Sequence, residues 1–156
     1  MSDVDVTNEP GAVQDPQAGR RRILQVCGSA AGGVRAHLAD CARLLAADGH
    51  DVIVEAPAAV LDGLDLEPAR AEPLEIGPRP SLNDTLAVAR LRRLGRRADV
   101  LHAHGLRAGA LAALALGRRR RGRTRLVVTL HNLTVGGRLT TLVGKRLERL
   151  IARRAD

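Results

Sequence analysis

The sequence predicts an α/β domain built on a doubly wound parallel sheet. Short apolar runs, bounded by glycine or polar residues, alternate with longer stretches whose apolar residues recur at helical spacing. Glycine-rich or polar segments directly follow several of these runs. A length of 156 residues fits one domain, and a hydrophobic content of 45% supplies enough aliphatic side chains for its core.

The first 20 residues are predicted to be a disordered acidic tail, so the folded domain is expected to span residues 21–156. The first 19 residues include four acidic side chains and no basic one. This segment lacks the basic start and apolar stretch of a secretory signal, and no apolar run in the chain approaches the roughly 20 residues of a membrane-spanning helix. The two cysteines form no disulfide framework. We therefore expect a cytoplasmic protein.

The first half of the domain has the pattern of a strand, a helix and a second strand. The apolar run Arg22–Cys27 suits a buried strand, and the small residues of Gly28–Gly33 form a loop after it. The helix that follows is expected to end at Gly49, and Asp51–Glu55 is the second strand. Such a unit places its two strands parallel, with a right-handed crossover.

The second half repeats the alternation of strands and helices. Ser81 and Asp84 have the spacing of a capping box, and Gly117 suits the end of a helix of small residues. In chain order, the predicted elements are a short strand at Leu74–Ile76, a helix from Ser81, a strand at Asp99–Ala103, a helix at Leu106–Leu116, a strand at Leu126–Leu130 and a helix at Arg138–Arg154.

The commonest open order for five such strands is 3-2-1-4-5, and this order predicts where a ligand binds. Ligands of doubly wound sheets bind outside the carboxyl ends of the strands where the order reverses, here between strands 1 and 4. Gly28–Gly33 follows strand 1 and His102–Gly105 lies at the end of strand 4. The neighbouring strand 5 leads into His131 and Asn132. We expect these segments to form one site.

Composition and charge limit the classes of partner. The chain has no Phe, Tyr or Trp, which excludes modules that stack single-stranded bases on aromatic rings. The formal net charge is +8, and all bases except Lys145 are arginines. An excess of basic over acidic residues suggests anionic partners, although a GC-rich genome also encodes an arginine-rich composition. The run Arg118–Arg121 predicts either a solvated loop or contact with anionic lipid head groups.

The histidines admit three interpretations. His102 and His104 share one face of a strand, which is metal-ligand spacing, and His131 would be a third ligand. They could instead hydrogen-bond a polar substrate or be structural. The glycine loop suits a phosphate at a helix N-terminus, although it is neither a dinucleotide fingerprint nor a P-loop.

Three segments together resemble glycosyltransferase family 4. Gly32–Val54 is similar to the family's first strand-loop-helix segment, Ala98–Gly109 to its second signature and Val127–Asn132 to its third. The resemblance implies the N-terminal, Rossmann-like domain of a GT-B fold. It also implies transfer of a sugar from a nucleotide-sugar co-substrate to an acceptor, without a bound metal or other cofactor.

The resemblance also assigns roles to individual residues. Gly32 and Gly33 match the loop that faces the donor diphosphate, and His131 matches the family's catalytic histidine near the transferred sugar. His104 and Asn132 match positions on the acceptor and sugar side. Nothing in the chain matches the family's C-terminal, donor-binding domain, so we expect the chain to need that half for catalysis.

Two alternatives from other classes remain at this point. One is a metal-dependent hydrolase built on His102, His104 and His131, and the other is a basic nucleic-acid-binding module. Bound zinc would favour the first, and a steep salt dependence of duplex binding would favour the second.

Overall fold

A computed structural model describes residues 19–117 and 124–130 of the chain. Five expectations lie wholly or largely outside the described residues: the acidic tail, the arginine run at 118–121, His131, Asn132 and the helix at 138–154. Among the described residues, no helix is long and apolar enough to cross a membrane.

Within the described residues, the protein is an α/β domain with five strands in one sheet. Every strand pair is parallel and the order is β3-β2-β1-β4-β5, which confirms the predicted fold class and strand order. The elements in chain order are β1 Arg22–Cys27, α1 Gly33–Ala47, β2 Asp51–Ala56, α2 Ala58–Leu61, β3 Arg70–Pro73, α3 Asn83–Gly95, β4 Val100–His104, α4 Leu106–Leu116 and β5 Arg125–Thr129.

The register of the central strands brings the predicted site segments to one edge. β1 lies between β2 and β4, and its last residue, Cys27, pairs with His104 at the end of β4. His104 also pairs with Thr129, the last residue of β5. Strands 1, 4 and 5 therefore end side by side, and the segments that follow them share the carboxyl edge of the sheet.

Each face of the sheet has its own core because successive strand residues point to opposite sides. Leu24, Val26 and Leu101 pack on the side of α3 and α4. Ile23 and Cys27 pack on the other side, against α1. Burial of these aliphatic side chains on both faces supplies most of the stabilisation, at roughly 25 cal/mol for each Å² of apolar surface.

Among the described elements, the sequence places the third strand wrongly and misses α2, a helix of four residues. The prediction was Leu74–Ile76, whereas β3 is Arg70–Pro73 at the sheet edge, a largely exposed and polar tetrapeptide with no apolar periodicity. Leu74 and Ile76 are buried, but they lie just past the strand and anchor the loop that leads to α3. Their burial reflects packing under a loop, which apolar content alone cannot distinguish from strand pairing.

The helix ends agree more closely with the sequence. α4 spans the predicted residues and ends at Gly117, whose φ of 67° suits glycine. α3 begins at Asn83, and the Ser81 backbone N–H donates to a carboxylate oxygen of Asp84 at 3.1 Å. That bond is one half of the expected capping box.

Candidate functional site

At the carboxyl edge of the sheet, a glycine directly precedes each of the helices α1 and α4. Gly32 precedes α1 with a φ of 54°, and Gly105 precedes α4 with a φ of 91°. A side chain is strained at both positions, so each turn from strand to helix requires glycine. The positive ends of two helix dipoles therefore lie at the edge where β1 and β4 separate.

The backbone at the start of α1 is open. Ala31, Gly32 and Gly33 are exposed, and a Cβ added at either glycine would meet no atom within 4 Å. A phosphate can therefore approach the first N–H groups of the helix without steric hindrance. Gly33 has no left-handed φ, so its lack of a side chain matters for space and not for conformation.

The glycine loop is held by the loop that follows β3. The Ser29 backbone N–H donates to the Ile76 carbonyl at 3.2 Å, and the Ser29 hydroxyl donates to the same oxygen at 3.4 Å. A Cβ on Gly28 would come within 3.3 Å of Ile76 Cγ2, so the two loops pack tightly. The buried Ile76, which was predicted to belong to a strand, thus supports the Gly28–Gly33 loop.

Arg107, in the first turn of α4, binds the loop that leads from β3 to α3. Its guanidinium donates to the carbonyls of Gly77 and Arg79, each at 2.8 Å, and to both carboxylate oxygens of Asp84 at 2.7 Å. The hydrogen bonds from Arg107 hold the pKa of Asp84 below its usual value. An open depression lies along this loop, lined by Glu75, Gly77, Pro78, Arg79, Pro80, Ser81 and Asn83.

His102 and His104 share one face, as predicted. Their ring centroids are 4.1 Å apart, and His37 of α1 lies edge-on to His104 at 5.6 Å. His102 Nε2 is 2.8 Å from the Thr129 hydroxyl, and His104 Nε2 is 3.2 Å from Gln25 Oε1. His104 is buried, with 2% of its surface exposed. The histidines therefore belong to a polar cluster on the α1 side of the sheet.

The described part of the chain does not support the metal-dependent hydrolase. Within residues 19–117 and 124–130, no group of three or more His, Cys, Asp or Glu side chains is arranged to hold a metal ion. The third proposed ligand, His131, lies outside that part. The cysteines add no reactive thiolate, because burial raises the pKa of Cys27 to about 11 and also raises that of Cys41. Cys27 is buried, whereas Cys41 is only half-buried.

Of the predicted site residues, the structure brings Gly32, Gly33 and His104 to the same edge of the sheet. His131 and Asn132 follow β5, which ends at that edge, but both residues lie outside the described part of the chain. The sequence interpretation missed Gln25 and Arg107. A single polar residue in the apolar run of β1 was a usable signal for Gln25, whereas the partners of Arg107 are 23 to 30 residues distant and leave no local pattern.

A second buried polar group lies on the opposite face, between β2 and α3. Glu55 has 0% of its surface exposed, and Arg90 donates to its Oε1 at 2.9 Å. Arg90 also donates to Glu72 at 2.6 Å. Burial raises the pKa of Glu55, and the hydrogen bond from Arg90 opposes that rise only in part. These ion pairs join β2 and the edge strand β3 to α3 and lie outside the glycine-rich edge.

The described domain is a doubly wound sheet with an open helix N-terminus, preceded by Gly32, at the edge where ligands of such sheets bind. The chain belongs to the family described as Glycosyl transferase 4-like domain, whose pattern matches residues 32–156. The match confirms the resemblance to the N-terminal domain of family 4 glycosyltransferases. A search of curated proteins found no match.

Proposed function

We propose that this domain is the acceptor-side half of a glycosyltransferase that moves a sugar from a nucleotide-sugar donor to an acceptor. The observation that carries the proposal is the open backbone at Gly32 and Gly33, which lies at the same carboxyl edge as His104, where the strand order reverses. Family membership supports the same reaction class. No cofactor is needed in this proposal, because the nucleotide sugar supplies the leaving group.

The glycine loop acts on the donor diphosphate. As the bond to the sugar breaks, the departing nucleoside diphosphate gains negative charge, and the first N–H groups of α1 stabilise that charge. Because Ser29 is tied to Ile76, the loop needs little rearrangement during the reaction. Preorganised donors of this kind contribute most when they are fixed before the reaction.

His104, His131 and Asn132 act on the sugar and acceptor side of the site. Neutral imidazoles and an amide can each donate and accept hydrogen bonds, which suits sugar hydroxyls. His131 is the proposed catalytic residue, which hydrogen-bonds the transferred sugar or shares the charge that develops in the transition state. Its role rests on the family resemblance.

The proposed enzyme also needs a donor-binding domain, supplied by the same polypeptide or by a separate chain. The resemblance to glycosyltransferase family 4 implies that this second domain holds the nucleotide base and the ribose. The carboxyl edge of the sheet offers contacts to a diphosphate and to hydroxyl groups. The two halves of the enzyme would therefore divide donor and acceptor recognition between them.

The test is sugar transfer by the chain together with its donor-binding half. We expect His131→Ala to lower kcat roughly 10²-fold. The matched control is His50→Ala, since His50 lies at the opposite edge of the sheet and accepts a hydrogen bond only from the backbone N–H of Arg21 among the contacts identified for it. Equal activity of the two variants would contradict the assignment of His131, and absence of transfer to any hydroxyl acceptor would contradict the proposed reaction.

We further propose that the outer face of α3 contacts an anionic membrane at its cytoplasmic side. Leu82 and Leu86 are 90% and 71% exposed, and the exposed Arg93 and Arg96 continue the same helical face. Leucines beside arginines suit the interface of an anionic bilayer.

Vesicle sedimentation tests this contact. We expect binding to vesicles with anionic lipid, weakened by salt and by the double substitution Leu82→Ser and Leu86→Ser. The control is Leu44→Ser, since Leu44 is 66% exposed on α1. Equal retention on neutral and anionic vesicles at low salt would contradict the contact.

A further inference from the structure

Arg107 connects three segments at the carboxyl edge of the sheet. It lies in the first turn of α4, and 24% of its side chain is exposed. Its guanidinium donates to the carbonyls of Gly77 and Arg79, each at 2.8 Å, and to both carboxylate oxygens of Asp84 at 2.7 Å. Asp84 lies in the first turn of α3. One side chain therefore joins the starts of two helices to the loop that leads from β3 to α3.

The loop segment 77–80 depends on Arg107 for its position. The segment belongs to no helix or strand, and the residues from Pro78 to Pro80 are exposed, so packing contributes little to holding it. Within residues 19–117 and 124–130, the hydrogen bonds identified for this segment are the two that Gly77 and Arg79 accept from Arg107. Without the guanidinium, the segment would lose both.

The same segment begins directly after the anchor of the Gly28–Gly33 loop. The Ile76 carbonyl accepts a hydrogen bond from the Ser29 backbone N–H and another from the Ser29 hydroxyl. Gly77, whose carbonyl accepts from Arg107, is the next residue. The two carbonyls belong to consecutive planar peptide units, so rotation of one unit moves the other. We call this connection, from Arg107 through Gly77 and Ile76 to Ser29, the tether.

We infer that Arg107 is a positioning residue for the donor diphosphate, because the tether fixes the Gly28–Gly33 loop before the ligand binds. The Nε and Nη2 donors of the guanidinium are directed at the loop after β3 and at Asp84, so Arg107 acts through the loop. N–H groups stabilise a developing charge most when they are already in place. The link to the diphosphate rests on the proposed function, whereas the tether does not.

Replacing the guanidinium while keeping its charge tests the tether. Arg107→Lys retains the positive charge but replaces a planar fork of donors with a single nitrogen. Exchange of the Ser29 amide with water, measured by NMR of the full chain labelled with ¹⁵N, reports opening of its bond to Ile76. We expect this exchange to accelerate about tenfold in Arg107→Lys. The amide of Leu101, in the core of β4, should exchange as in the wild type.

Arg35 supplies a matched control. It lies in the first turn of α1, and its guanidinium likewise donates to two carbonyls, those of Val60 and Asp62, which lie outside the segment 77–80. Arg35→Lys should therefore leave the exchange of the Ser29 amide unchanged. Equal acceleration in the two variants would overturn the inference. Lower thermal stability of Arg107→Lys with unchanged Ser29 exchange would show a purely structural role and overturn it too.

Inorganic pyrophosphate is the probe for the link to the diphosphate. Its Kd follows from the shifts of the Gly32 and Gly33 amide signals during titration, and we expect Arg107→Lys to raise this Kd about tenfold. Asp84→Ala removes the carboxylate that orients the guanidinium and also removes a negative charge. Electrostatics alone predicts that this variant binds an anion more tightly. Loss of the tether predicts weaker binding, which is the result we expect.

The outcomes separate this inference from the proposed function. An unchanged Kd in Arg107→Lys despite faster Ser29 exchange would overturn the link between the tether and the diphosphate, as would tighter binding by Asp84→Ala. If the wild type shows no saturable shift at Gly32 and Gly33, the proposed diphosphate site is refuted. The exchange rates of Ser29 would then still decide whether Arg107 holds the loop.

Discussion

Glu55 and Gln25 are both completely buried polar residues, in neighbouring strands of one sheet, and they illustrate two different uses of a buried polar group. Glu55 of β2 faces α3 and is paired with the charged Arg90. Gln25 of β1 faces the α1 side and is paired with an imidazole. The charged pair links the sheet to α3, whereas the neutral pair links two neighbouring strands of the sheet.

The largest effect on stability should come from breaking the charged pair. Arg90→Ala leaves Glu55 buried without its cation, which typically costs about 3 kcal/mol. Urea unfolding monitored by circular dichroism measures the change in the free energy of unfolding. Arg92→Ala, on an exposed position of the same helix, is the control and should cost less than about 0.5 kcal/mol. Similar losses in both variants would show that the pair contributes nothing.

The pH dependence of stability separates the ionised from the neutral form of Glu55. Burial raises the pKa of Glu55 above 4.5. The contribution of Glu55 to the free energy of unfolding is therefore complete below pH 4.5 and declines as the pH rises through the raised pKa. Glu55→Gln keeps an acceptor for Arg90 and does not titrate. We therefore expect the stability of this variant to improve relative to the wild type as the pH rises from about 4 to 8. A constant difference across that range would contradict the raised pKa.

The contribution of Asp84 to stability should depend on pH in the opposite direction to that of Glu55. Because Arg107 lowers its pKa, the contribution of Asp84 is complete above 3.8 and is lost as the pH falls through the lowered pKa. Asp84→Asn should cost about 1 kcal/mol at pH 7, with the difference from wild type shrinking in acid. Unfolding curves at pH 7 and pH 2.5 measure both values. A loss that persists undiminished at pH 2.5 would contradict the lowered pKa of Asp84.

The parts of the fold that follow from local pattern were predictable from the sequence. Apolar runs and glycines located β1, α4 and the strand order, because central strands and small-residue helices are defined by their own composition. β3 was misplaced because an edge strand needs little apolar content when the loop after it supplies the buried residues. Edge pairing through the backbone leaves almost no sequence signal.

The candidate site was predictable to the same extent. Gly32, Gly33 and His104 were located by the rule that ligands bind at the carboxyl edge, which depends only on topology. The contacts that hold the surrounding segments in place could not be predicted, because they join residues that are far apart in the chain. Arg107 with Gly77, and Gln25 with His104, are contacts over 30 and 79 positions, and neither can be read from spacing.

The central claim is that the open start of α1 receives the diphosphate of a nucleotide sugar. Amide ¹H–¹⁵N spectra of the chain, recorded while nucleotide sugars are added at millimolar concentration, test it most directly. We expect the signals of Gly32 and Gly33 to shift with saturation in the wild type. Gly49 and Gly117, at the far ends of α1 and α4, should not move.

Gly33→Val makes this measurement decisive. No atom lies within 4 Å of the position a Cβ would take at Gly33 and its φ is not left-handed, so the variant should fold as the wild type does. Its branched side chain should block the phosphate and abolish the shift at Gly32. Saturable shifts at Gly32 that are unchanged in Gly33→Val, or shifts in the wild type confined to Gly49 and Gly117, would contradict the account.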